Sequence, residues 1–266
     1  MTDLDRRTTF TLAAAAMAGA GPAIAADAKT VLITGSNRGL GLEFAKQYSA
    51  LGWNVIATTR NPADAGELNK LAAAKKNVAV EAMDVTKHAT VDALAAKYKG
   101  KPIDVLINNA GITGDFRDMK SQSFGSLNHP LALDFINTNC LGALKVTEAF
   151  YENVKASQTK KIVAITSQAG SFGLKFPGPP GAYWYKISKA ALDAAMFNVA
   201  MDAKKDGVVV TMLSPGQVRV EKIADVKIPG MIEMNESIGG MIPIIEKLTM
   251  DDTGTIIRYN GERQPL

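Results

Sequence analysis

Short apolar runs alternate with longer amphipathic stretches from Lys29 onward, and this alternation constrains the fold more than any other feature of the chain. Six runs are rich in β-branched or aliphatic residues: 31–34, 54–57, 78–80, 104–107, 162–165 and 208–211. Residues 255–259 predict a seventh strand. Continuous apolar strands separated by helical segments are typical of a parallel sheet that is covered on both faces. The sequence therefore predicts a single α/β domain with a doubly wound parallel sheet of about seven strands.

Composition narrows the classes of partner. The chain has 266 residues, of which 47% are hydrophobic and 21% charged, and this suits one domain with a substantial core. The net charge of +4 is spread along the chain, so it indicates no nucleic-acid surface and favours a small-molecule partner. The lone Cys140 excludes an internal disulfide, and the isolated His88 and His129 lack metal-ligand spacing, so we expect no metal site.

A glycine-rich turn directly follows the first predicted strand and precedes a helical pattern. Glycines let the backbone turn sharply and approach a pyrophosphate, while the helix N-terminus supplies unpaired N–H donors. A tight strand-to-helix connection is the alternative interpretation. At the first strand–helix junction of a Rossmann-type sheet the turn predicts a dinucleotide site. Its predicted binding residues are Gly35, Ser36, Asn37, Arg38, Gly39, Leu40 and Gly41.

Two arginines favour NADP(H) as the cofactor. The second strand is expected to end near Thr59, where an NAD-preferring enzyme usually carries an acidic residue. Arg60 follows instead, and Arg38 lies within the glycine turn, so two guanidinium groups can converge on a 2′-phosphate. NAD(H) stays the alternative cofactor, and solvated surface charges are the alternative interpretation of the arginines.

Tyr185 and Lys189 are four residues apart in a helical stretch, which places both side chains on one face. Lowering the pKa of a phenol by roughly three units costs about 4 kcal/mol. An ammonium about 4 Å away supplies roughly that at an effective dielectric constant near 20. The pair therefore predicts acid–base chemistry, although an exposed helix could carry the same two residues. Ser167 closes the fifth predicted strand at the same ligand-binding edge, and Tyr183 fails the spacing because Ile187 lies four residues later.

The Gly-x-x-x-Gly-x-Gly turn and the Tyr-x-x-x-Lys pair resemble the short-chain dehydrogenase/reductase family. Residues 34–48, the proline-rich interval 177–181 and the ending 259–261 are similar to the subgroup of C-factor and sniffer-like carbonyl reductases. The resemblance implies that further residues line the cofactor: Asp84 and Val85 at the adenine, Asn109, Ala110 and Gly111 beside the dinucleotide, and Pro215, Gly216 and Val218 near the nicotinamide.

The same resemblance implies roles for four residues. Ser167 would hydrogen-bond the substrate carbonyl, Tyr185 would donate or remove the proton, and Lys189 would hold the nicotinamide ribose. Asn139 would support a water molecule next to the lysine. The implied activity is NADP(H)-dependent reduction of aldehydes or ketones by hydride transfer, with Tyr185 as proton donor. The alternative is a dinucleotide-binding signalling or sensor protein of the C-factor type, which needs little turnover.

The segment 221–250 resembles the mobile substrate lid of that family. Its sequence shows no regular helical or strand pattern, and Met231, Met234 and Met241 lie between isoleucines and glycines. Thioether side chains adapt to varied apolar substrates, but methionines that fill ordinary core gaps are an equal alternative. Val220 stands where family members often carry a threonine that bonds the nicotinamide carboxamide. A homo-oligomer is left open.

Residues 1–26 have the layout of a removable export signal. Arg6 and Arg7 precede an alanine-rich apolar run and a small-residue stretch at 23–26. Adjacent arginines indicate a twin-arginine signal and thus a periplasmic protein, with cleavage near Ala25. The alternative is a disordered leader on a cytoplasmic enzyme. The run is too short to span a membrane, so we expect no membrane anchor after its removal and assign residues 27–266 to the oxidoreductase domain.

Overall fold

The computed structural model describes residues 28–114, 119–174, 181–219 and 230–266. Within these ranges eight strands form one sheet in the order β3-β2-β1-β4-β5-β6-β7-β8. The first seven strands are parallel, and β8 pairs antiparallel with β7. The strands are β1 Thr30–Ile33, β2 Asn54–Thr59, β3 Val78–Ala82, β4 Val105–Asn108, β5 Lys161–Ile165, β6 Val209–Ser214, β7 Ile256–Arg258 and β8 Arg263–Gln264.

The prediction of a doubly wound α/β sheet is confirmed. Every residue of β1, β2, β4, β5 and β6 is buried, because helices cover both faces of the sheet. Each predicted apolar run contains at least half of a strand. The described sheet has one strand more than the seven predicted, because β8 is only two residues long and carries no readable pattern.

Seven α-helices in the described part of the chain divide between the two faces. They are α1 Gly39–Ala50, α2 Gly66–Ala74, α3 His88–Lys97, α4 Leu131–Ile136, α5 Gly142–Lys155, α6 Tyr183–Ala203 and α7 Met234–Lys247. Side chains alternate along each strand, so Val31 and Ile33 pack in the core with α1 and α7. Leu32 points the other way, into the core formed with α3, α5 and α6.

The expectation of an irregular segment at 221–250 is wrong for residues 234–247, which form α7. Met241 is fully buried in the core with Ile238 and Ile245, so it fills a core position instead of lining a substrate pocket. Gly240 lets α7 pack tightly, since a Cβ atom there would lie 2.3 Å from the Tyr259 carbonyl oxygen. Residues 221–229 and the predicted leader lie outside the described residues.

None of the described helices combines the length and apolar character that crossing a membrane requires. Likewise, no group of three or more His, Cys, Asp or Glu side chains within the described ranges could hold a metal ion.

Candidate active site

The predicted site residues converge on one edge of the sheet. They follow the carboxyl ends of β1 to β6, and parallel strands bring those ends to the same side. The strand order reverses between β1 and β4, because β2 and β3 extend one way and β4 to β6 the other. In open α/β sheets the crevice at such a reversal is where ligands bind.

The glycine turn after β1 has the shape that a pyrophosphate requires. Gly35 and Gly39 have φ angles of +69° and +56°, which favour glycine. A Cβ atom on Gly41 would lie 2.2 Å from the Gly35 carbonyl oxygen, so only glycine allows α1 to approach the turn this closely. The first turn of α1 carries no acidic residue. Its N–H groups and partial positive charge therefore suit an anion.

Backbone and side-chain hydrogen bonds hold the turn against β4. The Asn109 side-chain amide donates to the carbonyl oxygens of Thr34 and Gly35, at 2.8 and 3.2 Å. The Thr34 hydroxyl accepts from the backbone N–H groups of Asn109 and Ala110, both at 2.9 Å. Ser36 is buried and its hydroxyl donates to the Ile33 carbonyl, so this predicted binding residue shapes the turn with its side chain.

Two exposed arginines and a buried valine flank the region predicted for the adenosine. Arg38 and Arg60 are exposed, and neither forms a salt bridge with another described residue. Val85 is buried and packs against Gly142 at the start of α5. The Asp84 carboxylate accepts from the backbone N–H of Thr86 at 3.0 Å, which fixes the turn after β3. This surface presents positive charge and no carboxylate at the end of β2.

Tyr185 lies in the first turn of α6 and faces the end of β5. A hydrogen bond from the Ser167 side chain lowers the pKa of the phenol, but burial is the larger effect and raises that pKa overall. Ser167 is fixed in turn, since its Oγ accepts from the Ala169 backbone N–H at 3.2 Å. Sequence reasoning missed Gln122, a buried residue whose Oε1 accepts from the Tyr185 backbone N–H at 3.2 Å.

Lys189 lies one helical turn further along α6 and is 6% exposed. Its Nζ lies 5.9 Å from the centroid of the Tyr185 ring and donates to the Ile165 carbonyl at 2.8 Å. Burial lowers the pKa of Lys189 to about 8, and Asp193 opposes that effect. The pKa of Tyr185 is therefore raised overall and not lowered as its spacing to Lys189 predicts, because burial outweighs the opposing effects. Burial keeps Tyr185 protonated at neutral pH.

Asn139 lies in a π-helical turn, Asn137–Leu141, which joins α4 to α5. Such π-helical turns are frequent at functional sites. Its side chain accepts from the Ile112 N–H at 2.7 Å and donates to the Ile112 carbonyl at 2.9 Å. A Cβ atom on Gly111 would lie 3.1 Å from Asn139 Oδ1 and 3.8 Å from Lys189 Nζ. Gly111 thus allows the end of β4, Asn139 and Lys189 to meet.

The segment after β6 forms the far end of the crevice. Gly216 has φ of +82°, and the Pro215 carbonyl accepts from the Ser237 hydroxyl of α7 at 2.7 Å. Val218 pairs with Ile232 in an isolated parallel bridge. Val220, the predicted departure from the family pattern, lies outside the described residues.

Asp193 is a second residue that sequence reasoning missed. It lies on α6 four residues after Lys189, the same spacing that linked Lys189 to Tyr185, and this spacing could have revealed it. The site thus contains a phosphate-sized turn, a positive rim and a Ser–Tyr–Lys group with an adjoining carboxyl, in which Ser167 and Tyr185 are half-buried and Lys189 is buried. These features fit a bound dinucleotide and define the class of dinucleotide-dependent oxidoreductases.

The family model described as short chain dehydrogenase matches residues 29–227, and the chain belongs to the short-chain dehydrogenase/reductase family. It is 32% identical over 253 residues to the oxidoreductase C24B10.20 of Schizosaccharomyces pombe, covering 88% of this chain and 96% of that protein. It is also 30% identical over 165 residues to C-signal of Myxococcus xanthus, covering 62% of this chain and 93% of the relative.

Two solved structures share the fold over 90% of this chain. An NADPH-bound carbonyl reductase from chicken fatty liver has a TM-score of 0.82 and 29% identity, with 99% of that chain covered. The carbonyl reductase Sniffer of Drosophila melanogaster has a TM-score of 0.79 and 27% identity, with 100% covered. The predicted resemblance to C-factor and sniffer-like proteins is confirmed.

Proposed function

We propose that this oxidoreductase reduces aldehydes or ketones with NADPH. The observation that carries the proposal is the meeting of the Ser167 side chain with the half-buried Tyr185 phenol, one helical turn from Lys189. This group lies at the sheet edge that also carries the glycine turn. The NADPH-bound carbonyl reductase with the same fold supports the choice of reaction.

NADPH, when bound, supplies the hydride for the carbonyl carbon. The Ser167 hydroxyl would orient the carbonyl oxygen, and the Tyr185 hydroxyl would give it a proton, so that hydride and proton together form the alcohol. The Lys189 ammonium, buried beside the phenol, would hold the nicotinamide ribose. Asn139 fixes the turn after β4 next to that amine.

The protonation state of Tyr185 suits the role of proton donor. Burial raises the pKa of the phenol above its ordinary value, so the hydroxyl carries its proton at neutral pH. A general acid must be protonated before it can donate. The chain therefore presents a proton donor, as carbonyl reduction requires.

Arg38 and Arg60 support NADP(H) over NAD(H). Both side chains are exposed at the rim of the crevice, and β2 ends in two buried threonines, so no carboxylate there would bind a ribose 2′-hydroxyl. Guanidinium groups pair well with a phosphate that carries more than one negative charge.

The test is consumption of NADPH by purified protein with a panel of aldehydes, ketones and quinones. We expect wild type to turn over at least one class, and Tyr185→Phe to be slower by roughly 100-fold or more. The matched control is Tyr183→Phe, an exposed tyrosine at the start of the same helix, which should keep activity. Equal turnover by wild type and Tyr185→Phe would overturn the assigned role of Tyr185.

A second candidate function is dinucleotide-dependent signalling, which the similarity to C-signal favours. It predicts that the protein binds NADP(H) but consumes none with any carbonyl in the panel. A binding titration beside the turnover assay separates the two candidates. Turnover that depends on Tyr185 favours the reductase.

We also keep export as a proposal for residues 1–26, on the basis of their signal-like layout. A twin-arginine route carries folded proteins, so an enzyme loaded with NADP(H) could cross the membrane. N-terminal sequencing of the mature protein should find a new terminus near Ala25. An intact Met1 on the mature protein would favour the cytoplasmic alternative.

A further inference from the structure

Asp193 is a buried carboxyl group to which the proposed reaction gives no role. The residue is 3% exposed, and neither of its side-chain oxygens makes a hydrogen bond of full geometry in the described structure, although the Thr166 hydroxyl lies close enough to lower its pKa. It packs directly beneath the turn that follows Ser167, since a Cβ atom on Gly170 would lie 2.8 Å from Asp193 Oδ2. A buried carboxyl without full hydrogen bonding is costly, so its place beside the catalytic group calls for an explanation.

The Asp193 carboxylate has one described cation near it with which it can interact favourably. On α6 it follows Lys189 by one helical turn, and its charge acts on Lys189, on Tyr185 and on Cys140 of the π-helical turn. The Thr166 hydroxyl at the end of β5 lies beside its carboxyl. Among these described neighbours Lys189 is the cation. The remaining side adjoins a cavity of about 250 Å³ with largely apolar walls. Its lining includes Phe172, Ala190, Phe197 and Leu266.

We propose that Asp193 is a positioning residue for the carbonyl reduction proposed above, and that its carboxylate keeps Lys189 charged and Tyr185 protonated. The inference rests on that proposed function. An ammonium group that loses its hydration needs a nearby negative charge to stay protonated. The same negative charge disfavours a phenolate. The carboxylate thus favours the charged form of Lys189, which would bind the ribose. It also favours the protonated form of Tyr185, which would donate the proton.

The ionisation of the three groups agrees in direction. Burial lowers the pKa of Lys189 to about 8, and Asp193 is the group that raises it. Burial raises the pKa of Tyr185, and Asp193 raises it further. The pKa of Asp193 is itself raised by burial to about 6, so its carboxylate is charged at neutral pH and above.

The first measurement is made on the cofactor-free protein and needs no substrate. Protein labelled with ¹³C-lysine is titrated by NMR, and the Lys189 signal is assigned by its loss in Lys189→Met. We expect a midpoint near 8 in wild type. We expect it to fall by about one pH unit in Asp193→Asn, which keeps the shape but removes the charge. Asp193→Glu, which keeps the charge, should return it toward the wild-type value.

The second measurement is the pH profile of carbonyl reduction with NADPH. In Asp193→Asn the basic limb of the profile should move to lower pH by about one unit, and kcat should change more than KM. In Asp193→Glu the basic limb should return toward its wild-type position. Thermal unfolding confirms that each variant folds, and Asp193→Ser is the second charge-removing variant if Asp193→Asn does not.

The two measurements together distinguish an electrostatic role of Asp193 from a structural one. An unchanged Lys189 midpoint in a folded charge-removing variant overturns the proposal, and so does a shifted midpoint combined with an unshifted basic limb. A shifted midpoint in a protein that reduces no carbonyl supports the electrostatic coupling and overturns the proposed function instead. Loss of activity at all pH values, with the Lys189 midpoint unchanged, shows a purely structural role and overturns the proposal.

Discussion

The Asn139 side-chain amide donates to the Ser188 hydroxyl at 2.8 Å, although the two residues are 49 positions apart. Ser188 in turn donates to the Tyr185 carbonyl oxygen at 2.8 Å. Both residues are buried. This pair of hydrogen bonds links the π-helical turn before α5 to the first turns of α6, and so sets where Tyr185 and Lys189 lie relative to the end of β4.

Replacing Ser188 by alanine should therefore loosen the site without removing a reacting group. The Asn139 amide would lose one of its two acceptors, and we expect the free energy of unfolding to fall by about 1 to 2 kcal/mol. Urea unfolding measures the change. Ser126→Ala is the matched control, because Ser126 is exposed and its hydroxyl donates to nearby backbone carbonyls. Equal losses in the two variants would contradict the importance of the Asn139–Ser188 bond.

Lys161 should stabilise the domain by holding the end of α7. It is buried at the start of β5, and its Nζ donates to the carbonyl oxygens of Ile245 and Glu246 at 2.9 and 2.7 Å. Lys161→Met leaves these acceptors without their donor, so we expect a loss of about 2 kcal/mol in urea unfolding. Lys155→Met, at a more exposed lysine in the last turn of α5, should change stability by about 0.5 kcal/mol or less. A Lys161 variant as stable as this control would contradict the prediction.

The sequence predicts the position of the site well, because strand ends and helical spacing are local properties. Glycine spacing located the turn after β1, and a four-residue separation located Tyr185 and Lys189 on one face of α6. The same spacing rule, applied once more, reaches Asp193. By contrast, Gln122 contacts the Tyr185 backbone across 63 residues of sequence, and no local pattern indicates such a contact.

Burial and close packing explain the two incorrect expectations. The pKa of Tyr185 depends on how much water the folded chain removes from the phenol, which is a tertiary property. Helix α7 was missed because Gly239, Gly240 and Pro243 lower the apparent helical propensity. Gly240 permits close contact with Tyr259, so packing outweighs local propensity there.

Asp193 should make the protein less stable as the pH rises through its titration. Its pKa is raised by burial to about 6 from an ordinary value of 3.8, so the folded state holds this proton more tightly than the unfolded state. Its contribution to stability is fully present below the unfolded pKa and is lost as the pH rises through about 6. Asp193→Asn removes this dependence. Its stability relative to wild type should increase by about 3 kcal/mol between about pH 4 and pH 8.

Urea unfolding of both proteins across that range provides the measurement for Asp193. Asp202→Asn is the matched control, since Asp202 is an exposed carboxyl on the same helix. Because Asp202 is exposed, its replacement should change the free energy of unfolding by about 0.5 kcal/mol or less. A difference between Asp193→Asn and wild type that stays constant with pH would show that the buried carboxyl does not titrate as described.

Gly41→Ala should greatly weaken dinucleotide binding. The new Cβ atom would lie 2.2 Å from the Gly35 carbonyl oxygen and 2.6 Å from the Asn109 amide nitrogen, so the turn and α1 must separate. Fluorescence titration with NADPH should show affinity at least about 100-fold weaker, because the N–H groups at the start of α1 move away from the pyrophosphate. Gly66→Ala places a methyl group in open space at the start of α2 and should bind NADPH like wild type. Wild-type affinity in Gly41→Ala would exclude this turn as the phosphate site.

Arg60 should contribute to the choice between the two nicotinamide cofactors. Its exposed guanidinium directly follows β2, and with Arg38 it provides positive charge where a 2′-phosphate would lie. Arg60→Ala should weaken NADPH binding by about 10-fold or more, as expected for a lost charge-assisted hydrogen bond, and leave NADH binding nearly unchanged. Arg263→Ala removes an exposed arginine that pairs with Asp252 near β7, and it should alter neither affinity. An equal loss of NADPH and NADH affinity in Arg60→Ala would mean that the guanidinium contacts a part common to both cofactors, and the preference for NADP(H) would then need another source.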